Sequence, residues 1–284
     1  TARYNIIQNK SDIKNTLKNF KPPYVIKADG LASGKGVVIV SDKSEAEQTI
    51  SEFLDGKLGN ASKKVLIEEF LEGEELSLIA LWDGEILLPF VPARDYKRLL
   101  NGNKGPNTGG MGAYCPVELT PNMMHELDMY VEKLQIALVS EKADFTGVIY
   151  SGLIYTEEGL KVLEYNMRFG DPETQALMMH LKTDILELLA KTASRNLSGS
   201  LIEWNYGISG TLVIASKGYP HAQNPACEII NLEEVCKKHN ITSFWAGVKK
   251  HRNKFLSNGG RILSLCHTSD DPFKNIYKAA DELV

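Results

Sequence analysis

Cysteine is scarce in this chain, and the cysteines that it has follow no pattern of a metal site or a disulfide framework. The four cysteines lie at positions 115, 227, 236 and 266, and none belongs to a Cys-x-x-Cys pair. Cys236 and Cys266 each lie near a histidine, but the spacing fits no common zinc pattern. Unpaired thiols are typical of a reducing compartment, so we expect a cytoplasmic protein.

Long apolar runs and an excess of positive charge are also missing. No apolar run approaches the ~20 residues of a membrane-spanning helix, and we expect no membrane partner. The 36 acidic residues outnumber 32 lysines and arginines, for a formal net charge of −4, so the composition offers no footprint for nucleic acid. The chain starts at Thr1 without a signal peptide and stops inside an amphipathic stretch; we interpret it as a piece of a longer protein.

Strand and helix patterns alternate along the chain. Short apolar runs predict strands at Tyr24–Lys27, Val37–Val40, Val65–Phe70, Glu75–Leu81, Glu85–Val91, Gly147–Tyr155, Leu160–Arg168, Thr211–Ala215, Cys227–Ile230 and Arg261–Leu265. The Asp83-Gly84 turn predicts that the fourth and fifth of these strands form a hairpin. Helical periodicity predicts helices at 11–20 with Ser11 as N-cap, at Ser44–Leu54 with a Ser44/Glu47 capping box, at Pro121–Val139 and at Glu173–Ser194. Asn196–Ser200 is interpreted as a linker. This order predicts an α+β nucleotide-binding core followed by a small accessory domain.

Six charged or amide side chains fall within the twelve residues from Glu164 to Gln175, directly after an apolar strand pattern. Because strand side chains alternate between faces, Glu164, Asn166 and Arg168 are expected to share one face. A carboxylate, an amide oxygen and a guanidinium side by side can hold a hard cation together with a phosphate. The alternative is a surface strand edge with an ordinary salt bridge; the adjoining Gly-Asp-Pro turn favours the functional interpretation.

A glycine-rich loop, Lys27–Gly36, lies between two predicted strands. It fails the P-loop pattern, because three residues separate Gly30 from Gly34 and Gly36 stands where Ser or Thr is required. We interpret it as a hairpin-like flap whose backbone and lysines contact phosphate. An exposed loop with stray lysines is the alternative, and Lys27 disfavours it because this lysine lies on an apolar strand.

Two further loops have unusual compositions. In the segment Glu68–Glu75 an apolar strand runs into an acidic turn, where backbone groups could read an adenine edge and a carboxylate could bind ribose. Acidic turns are also common on surfaces. In the segment Gly105–Gly112, four glycines with Asn and Thr suit close contact with an anion. We see no packing argument that requires this loop, and a disordered linker is its alternative.

Together these segments closely resemble the glycinamide ribonucleotide synthetase family of the ATP-grasp superfamily. The resemblance covers nearly the whole chain. The matching stretches are Lys27–Gly36, Ile67–Glu75, Asp95–Arg98, Gly105–Tyr114, Arg168–Gln175, Lys217–Pro220 and Asn258–Arg261.

The resemblance implies a fold and a reaction. The fold would be an α+β ATP-grasp domain over residues 1–200, with a flap-bearing subdomain at about 1–67 and a metal-binding subdomain at about 68–200 that clasp ATP. A small β-rich C-terminal domain, truncated, would occupy 201–284. The reaction would join glycine to phosphoribosylamine through an acyl phosphate, giving glycinamide ribonucleotide, ADP and phosphate. The family's N-terminal domain is absent, so activity of the fragment alone stays open, as does fusion to other purine-pathway domains.

The resemblance also implies roles for individual residues. Nucleotide-binding residues would be Lys27, Gly34, Lys35, Gly36, Glu68, Glu69, Phe70, Leu71 and Glu75. Mg²⁺ or Mn²⁺ would be bound by Glu164 and Asn166. Substrate-binding residues would be Asp95, Lys97, Asn107, Thr108, Gly109, Gly110, Arg168 and Asp171. Arg168 and Lys35 would be catalytic: Arg168 would stabilise charge at the transferring phosphoryl group and the carboxylate, and Lys35 would contact the ATP phosphates.

The chain departs from the family pattern at a few positions. Arg94 and Tyr96 stand where Gln and His are expected, and Phe244–Val248 differs from the usual His-Ala-Gly-Thr. These departures concern fine substrate contacts and not the reaction class. Two alternative functions are an ATP-grasp ligase for another acid or amine, and a catalytically inactive nucleotide-binding module. The intact Arg168–Gln175 signature argues against the first, and the presence of Lys35, Glu164 and Asn166 argues against the second.

Overall fold

The computed structural model describes residues 1–30, 32, 36–102, 104–221 and 225–283. By packing, the chain divides into two compact units: Thr1–Glu74 with Thr156–Leu163, and Glu75–Tyr155 with Glu164–Val284. The predicted boundaries near residues 67 and 200 stay predictions. None of the described helices combines the length and the apolar character that crossing a membrane would require.

The first unit is a four-stranded antiparallel sheet with one amphipathic helix on it. Its elements are β1 (Tyr4–Ile7), α1 (Ile13–Leu17), β2 (Tyr24–Ala28), β3 (Val37–Val40), α2 (Lys43–Leu54) and β4 (Val65–Glu69), with 3₁₀ turns at Lys10–Asp12 and Gly59–Ser62. The strand order is β1-β4-β2-β3. On α2, Ala46, Ile50 and Phe53 recur at helical spacing and are buried in one core with the sheet. Burial of this stripe is what holds α2 against the strands.

Both predicted helix starts in this unit are wrong. Ser11 lies inside the 3₁₀ turn, and the α-helix covers only Ile13–Leu17. The chain leaves it through tight i→i−3 bonds, as in Phe20 N–H to Leu17 O at 3.3 Å. In α2 the N-cap is Asp42, whose carboxylate accepts from Glu45 N at 2.9 Å. Ser44 donates its hydroxyl to that same carboxylate, so it supports the cap and does not form it.

The second unit begins in β5 (Glu74–Trp82) and contains the remaining elements, except that residues 159–163 of β12 belong to the first unit. Its first part has β6 (Leu87–Pro89), β7 (Arg94–Asp95), β8 (Arg98–Leu100), β9 (Lys104–Asn107), β10 (Gly112–Cys115), α3 (Pro121–Ser140), β11 (Gly147–Thr156), β12 (Gly159–Asn166), α4 (Glu173–His180) and α5 (Ile185–Ala193). Its second part has β13 (Ile208–Ala215), α6 (Leu232–His239), β14 (Thr242–Trp245), β15 (Val248–His251), β16 (Lys254–Ser257), β17 (Arg261–Ser269) and α7 (Pro272–Leu283).

Two sheets position the chemistry of this unit. One sheet has the strand order β12-β11-β5-β6. The last three residues of β12, Glu164–Asn166, belong to the second unit. The other has the order β14-β17-β13-β10-β7. In it β10 pairs antiparallel with β13, from Gly112 opposite Leu212 to Cys115 opposite Ser209. The C-terminal strands therefore share a sheet with β7 and β10, which flank the glycine-rich loop.

The predicted helix Glu173–Ser194 is two helices. The backbone of Leu181 is extended and bridges to Trp204, and the Asp184 side chain then caps α5 by accepting from Leu186 N at 2.8 Å. A cap and a strand-like bridge in the middle of the periodic pattern interrupt the helix. The predicted strand Cys227–Ile230 is reduced to a single bridge between Glu228 and Leu256.

The segment Asn196–Ser200 is anchored in the core and is not a linker. Leu197 is 1% exposed, and its N–H donates to the Asp83 carboxylate at 2.8 Å. The same carboxylate accepts from Glu85 N and Ile86 N at 2.9 and 2.7 Å. Asp83 thus closes the predicted β5–β6 hairpin turn and ties residue 197 to it. Burial opposes ionisation of Asp83, but these N–H donors hold the pKa of its carboxyl below the ordinary value.

Candidate active site

At the end of β12, Glu164 and Asn166 lie side by side, as the strand alternation predicts. The Asn166 amide donates to Glu164 Oε1 at 3.2 Å, whereas Tyr165 between them reaches the Tyr130 hydroxyl at 3.2 Å. Glu164 is exposed and Asn166 is half-buried, and each side chain carries an oxygen of the kind that binds hard cations. Across the described residues no cluster of three or more acidic, histidine or cysteine side chains could hold a metal. Two such oxygens suit Mg²⁺, which keeps several waters and shares phosphate oxygens.

Arg168 does not share that strand face by alternation, because β12 ends at Asn166. Its guanidinium is exposed and donates to the Phe169 carbonyl at 2.8 Å. The expected common face of three residues is therefore wrong for Arg168, which is positioned by the bend after the strand. Arg168 therefore follows Asn166, the second member of the Glu164–Asn166 pair, by two residues in the chain.

A buried network around the Glu173 carboxylate joins β5, β11 and α4. The sequence analysis did not predict it. Glu173, only 3% exposed, accepts from the Tyr150 hydroxyl at 2.9 Å and from the Ser77 hydroxyl at 3.2 Å. Ser77 also lies 3.5 Å from Asp95 Oδ1. The Gly170 position faces Glu173 so closely that an added Cβ would lie 2.5 Å from its Oε2. The signal was Glu173 itself, an acidic residue at the start of a helix in the signature.

Asp95, Lys97 and Glu75 form a charged chain that ends at this network. Lys97 is ion-paired with Glu75 and lies 3.8 Å from Asp95, whose side chain is 6% exposed. Burial lowers the pKa of Lys97, but the carboxylates of Asp95 and Glu75 outweigh it and raise the pKa to about 12. Burial raises the pKa of Asp95 to about 6; Lys97 opposes this rise, and Glu173 and Glu75 reinforce it. The structure brings together three of the predicted site residues.

The raised pKa of Asp95 predicts a pH-dependent difference between the wild type and Asp95→Asn. A carboxyl whose pKa rises from 3.8 to about 6 on folding stabilises the protein below pH ~4 and loses that contribution as pH rises through ~6. The free energy of unfolding of the wild type, relative to the variant, should fall by up to ~3 kcal/mol between pH ~4 and ~7.

Urea unfolding of both proteins at several pH values measures this difference. Lys97 does not contribute in this pH window, because its raised pKa keeps it charged throughout. Asp184→Asn, which changes an exposed capping carboxylate, is the control. A constant difference between wild type and Asp95→Asn would contradict the prediction.

The glycine-rich loop Gly105–Gly112 is tightly packed. The expectation that no packing argument requires this loop is therefore wrong. The Thr108 hydroxyl donates to Lys97 O at 2.8 Å and accepts from Gly110 N at 3.0 Å. Gly110 has φ +109, and a Cβ there would overlap Pro172 Cδ. A Cβ at Gly112 would lie 2.7 Å from Thr211 O. Asn107, at the end of β9, pairs with Arg98.

Asp171 is engaged by protein groups. Its carboxylate is 3.1 Å from Arg261 Nη2 and accepts from Gln175 Nε2 at 2.9 Å. Arg261 also donates to Gly109 O at 2.8 Å. Sequence reasoning assigned Arg261 no role, although the Asn258–Arg261 match was the signal that could have found it. The predicted substrate residues Asp171, Gly109 and Gly110 are thus brought together around this arginine.

Among the predicted nucleotide residues of the first unit, Lys27 lies on β2, and Glu68 and Glu69 lie on β4. Lys27 Nζ is 2.7 Å from Glu68 Oε2 and donates to Leu163 O at 3.3 Å. Strands β2 and β3 pair antiparallel, with Lys27 opposite Val37, and Ala28 N donates to Gly36 O at 2.8 Å. The predicted hairpin is confirmed, but Gly34 and Lys35 lie outside the described residues.

The segment predicted to read adenine is divided by the end of a strand. Glu68 is in the ladder on both sides, opposite Tyr4 and Val25. Glu69 N donates to Arg3 O at 3.0 Å, and its carboxylate accepts from Arg3 N at 2.8 Å. Strand β4 then ends, so Phe70 and Leu71 follow outside the ladder. Their backbone is better suited to a ligand than that of Glu68.

Comparison with known proteins gives a consistent family. A family model described as the ATP-grasp (A) domain of phosphoribosylglycinamide synthetase matches residues 1–174, and the model of the C domain matches 209–283. The phosphoribosylamine–glycine ligase of Clostridium acetobutylicum is 41% identical over 286 residues, which is 98% of this chain and 67% of that protein. The trifunctional purine biosynthetic protein adenosine-3 of Drosophila pseudoobscura is 41% identical over 271 residues, 93% of this chain and 20% of that protein.

A solved structure agrees with these matches. The crystal structure of the phosphoribosylamine–glycine ligase of Thermotoga maritima has a TM-score of 0.84 at 34% identity, covering 100% of this chain and 70% of that one. The chain thus spans about two thirds of the single-function relatives and about a fifth of the trifunctional one. The predicted α+β ATP-grasp fold followed by a C-terminal family domain is confirmed.

Proposed function

The chain belongs to the phosphoribosylglycinamide synthetase family, and from this premise we propose that its parent protein joins glycine to 5-phosphoribosylamine with ATP. An amine does not displace hydroxide from a carboxylate at useful rates near neutral pH, so the acid is activated first. The γ-phosphoryl group of ATP passes to the glycine carboxylate, ADP leaves, and the amine nitrogen then displaces phosphate. The products are glycinamide ribonucleotide, ADP and phosphate.

The adjacent side chains of Glu164 and Asn166 carry this proposal. They fit a hard divalent cation, Mg²⁺ or Mn²⁺, because the donors are a carboxylate and an amide. When bound, such a cation neutralises negative charge on ATP phosphates. Glu164 and Asn166 hold it, and Arg168, two residues on, stabilises charge on the transferring phosphoryl group and on the carboxylate.

ATP recognition involves the residues that the family resemblance assigns to the nucleotide. The ammonium of Lys27, 2.7 Å from Glu68, contacts phosphate, with Gly34, Lys35 and Gly36 contributing backbone groups and charge. The backbone from Glu68 to Leu71 binds adenine. Glu75 binds ribose hydroxyls, and its ion pair with Lys97 orients it.

Glycine and phosphoribosylamine are bound by residues of the second unit. Asp95 and Lys97 present opposite charges to them, and the loop Asn107–Gly110 lines the place where they bind. Arg94 and Tyr96 flank Asp95, in place of the family's Gln and His. Tyr96 is exposed and lies 6.3 Å from the Tyr114 ring. These two substitutions make another carboxylate–amine pair the second candidate function.

Isotope transfer tests the proposed reaction order. Full-length protein given glycine labelled with ¹⁸O in its carboxylate should pass one label to inorganic phosphate, because the bond from that oxygen to phosphorus survives when the amine attacks. ADP should form and not AMP. Release of AMP and pyrophosphate, or of unlabelled phosphate, would overturn the mechanism. Label transfer from another amino acid but not from glycine would favour the second candidate.

A further inference from the structure

Arg261, the first residue of β17, connects two loops of the candidate site through one guanidinium group. It donates from Nη1 to Gly109 O and to Asp171 O, both at 2.8 Å, and Gly110 O lies at 3.4 Å. Its Nη2 is 3.1 Å from Asp171 Oδ2. The side chain is 23% exposed, so these contacts are partly shielded from water. The planar guanidinium donates several hydrogen bonds in fixed directions, and a lysine ammonium cannot reproduce that set of contacts.

Tyr219 holds the same loop from a second direction. Its hydroxyl accepts from Gly109 N at 3.0 Å. The ring packs over Gly260, where an added Cβ would lie 2.5 Å from it. The N–H and the C=O of Gly109 are therefore both bound by side chains of the C-terminal part of the chain.

The loop needs such external contacts because its own sequence gives it little stiffness. Four of the eight residues from Gly105 to Gly112 are glycines, which lose more backbone freedom on ordering than any other residue. If the loop were free, substrate binding would have to order it, and affinity would fall accordingly. A loop that is already held does not carry that cost.

Taking the proposed function as premise, we propose that Arg261 is a positioning residue of the ligation site, which holds the glycine-rich loop in its substrate-binding shape before substrate arrives. By holding the loop in place, Arg261 increases the affinity of the site for substrate. Arg261 acts through Gly109, Gly110 and Asp171, and it belongs to the stretch matched by the C-domain model. The C-terminal segment thereby contributes to the site through the loop that it holds.

Hydrogen exchange of the full-length protein without ligands tests the positioning directly. The amides of Gly109, Gly110 and Met111 donate to Tyr219 Oη, Thr108 Oγ1 and Tyr96 O, respectively, so their exchange reports opening of the loop. In Arg261→Gln these amides should exchange about ten-fold faster or more than in the wild type. Arg261→Lys should restore little of the protection. Arg195→Gln, which breaks an exposed arginine–aspartate pair, should leave the loop unchanged and is the matched control.

Kinetics of the same variants separate affinity from nucleotide binding. In Arg261→Gln, KM for glycine or phosphoribosylamine should rise about ten-fold or more, while Kd for a non-hydrolysable ATP analogue should change less than about two-fold. Asp171→Asn removes the ion pair from the other side and should raise loop exchange in the same way. The double variant should be no worse than Arg261→Gln alone, because both changes break one connected unit.

Each outcome decides the proposal. Unchanged loop exchange in Arg261→Gln overturns it, including the case in which KM rises, since that combination means direct substrate contact. If Arg261→Gln does not fold, loop exchange in Asp171→Asn decides in its place. Failure of the isotope test in the wild type would remove the ligase assignment. In that case, faster loop exchange in Arg261→Gln would still show that Arg261 holds the loop, but not that this contact serves ligation.

Discussion

Replacing Glu164 by alanine is expected to lower the turnover of full-length protein on the order of 10²-fold or more. The variant loses the carboxylate of the Glu164–Asn166 pair, which in the wild type accepts a hydrogen bond from Asn166 Nδ2 at 3.2 Å. Phosphoryl transfer depends on positioning and charge neutralisation, so loss of an anionic metal ligand acts on the transition state and not only on binding.

Steady-state assays over a range of Mg²⁺ and Mn²⁺ concentrations measure this effect, with ATP, glycine and phosphoribosylamine saturating. Glu158→Ala is the matched control, because Glu158 sits at the other end of the same strand pair and is 78% exposed in a surface ion pair with Lys161. Its turnover should stay near that of the wild type. Near-normal turnover of Glu164→Ala at saturating metal would reject the assignment of the metal ligands.

Replacing Gly110 by alanine should lower kcat/KM for ligation about 10²-fold or more. Two effects combine at this position. Its φ of +109 is a conformation that L residues rarely adopt, and strain of that kind is worth about 1–3 kcal/mol. The added Cβ would also overlap Pro172 Cδ, with Asp171 O only 3.3 Å away. The loop must therefore move away from the Gly-Asp-Pro turn that it packs against.

Gly199→Ala separates the clash from the backbone strain. Gly199 also has a positive φ, +71, but a Cβ there meets nothing within 4 Å. This control should lose some stability and little activity. Thermal unfolding of both variants shows whether loss of fold explains loss of rate. If Gly110→Ala retains the kcat/KM of Gly199→Ala, the close packing of the loop does not matter for catalysis.

Features that depend on neighbouring residues were predictable from the chain alone. Alternation along β12 predicted that Glu164 and Asn166 share a face and Tyr165 does not, and the side-chain contacts confirm it. The Asp83-Gly84 turn predicted the β5–β6 hairpin, which the pairing of Leu81 with Leu88 confirms. These signals are reliable because the backbone period and the turn geometry are local properties.

Predictions failed where a more distant group competed with the local pattern. The periodic run after Glu173 continues through residue 194, yet a bridge from Leu181 to Trp204 and the Asp184 cap divide it into two helices. The polar stretch at 196–200 has the composition of a linker, yet the buried carboxylate of Asp83 binds Leu197 N from 114 positions away. An unpaired buried N–H is costly, so that contact outweighs composition.

The sequence by itself determined several of the strands, the glycine-rich loops, the adjacency of Glu164 and Asn166, and the family, because each of these depends on a short motif. Only the tertiary structure decided which of these motifs meet. Arg261 binds Gly109 across 152 positions, and β10 joins the sheet of β13 and β17. The buried network of Ser77, Tyr150 and Glu173 likewise joins three separate elements. No window of sequence contains such contacts; they arise because folding must pair buried polar groups and bury apolar faces together.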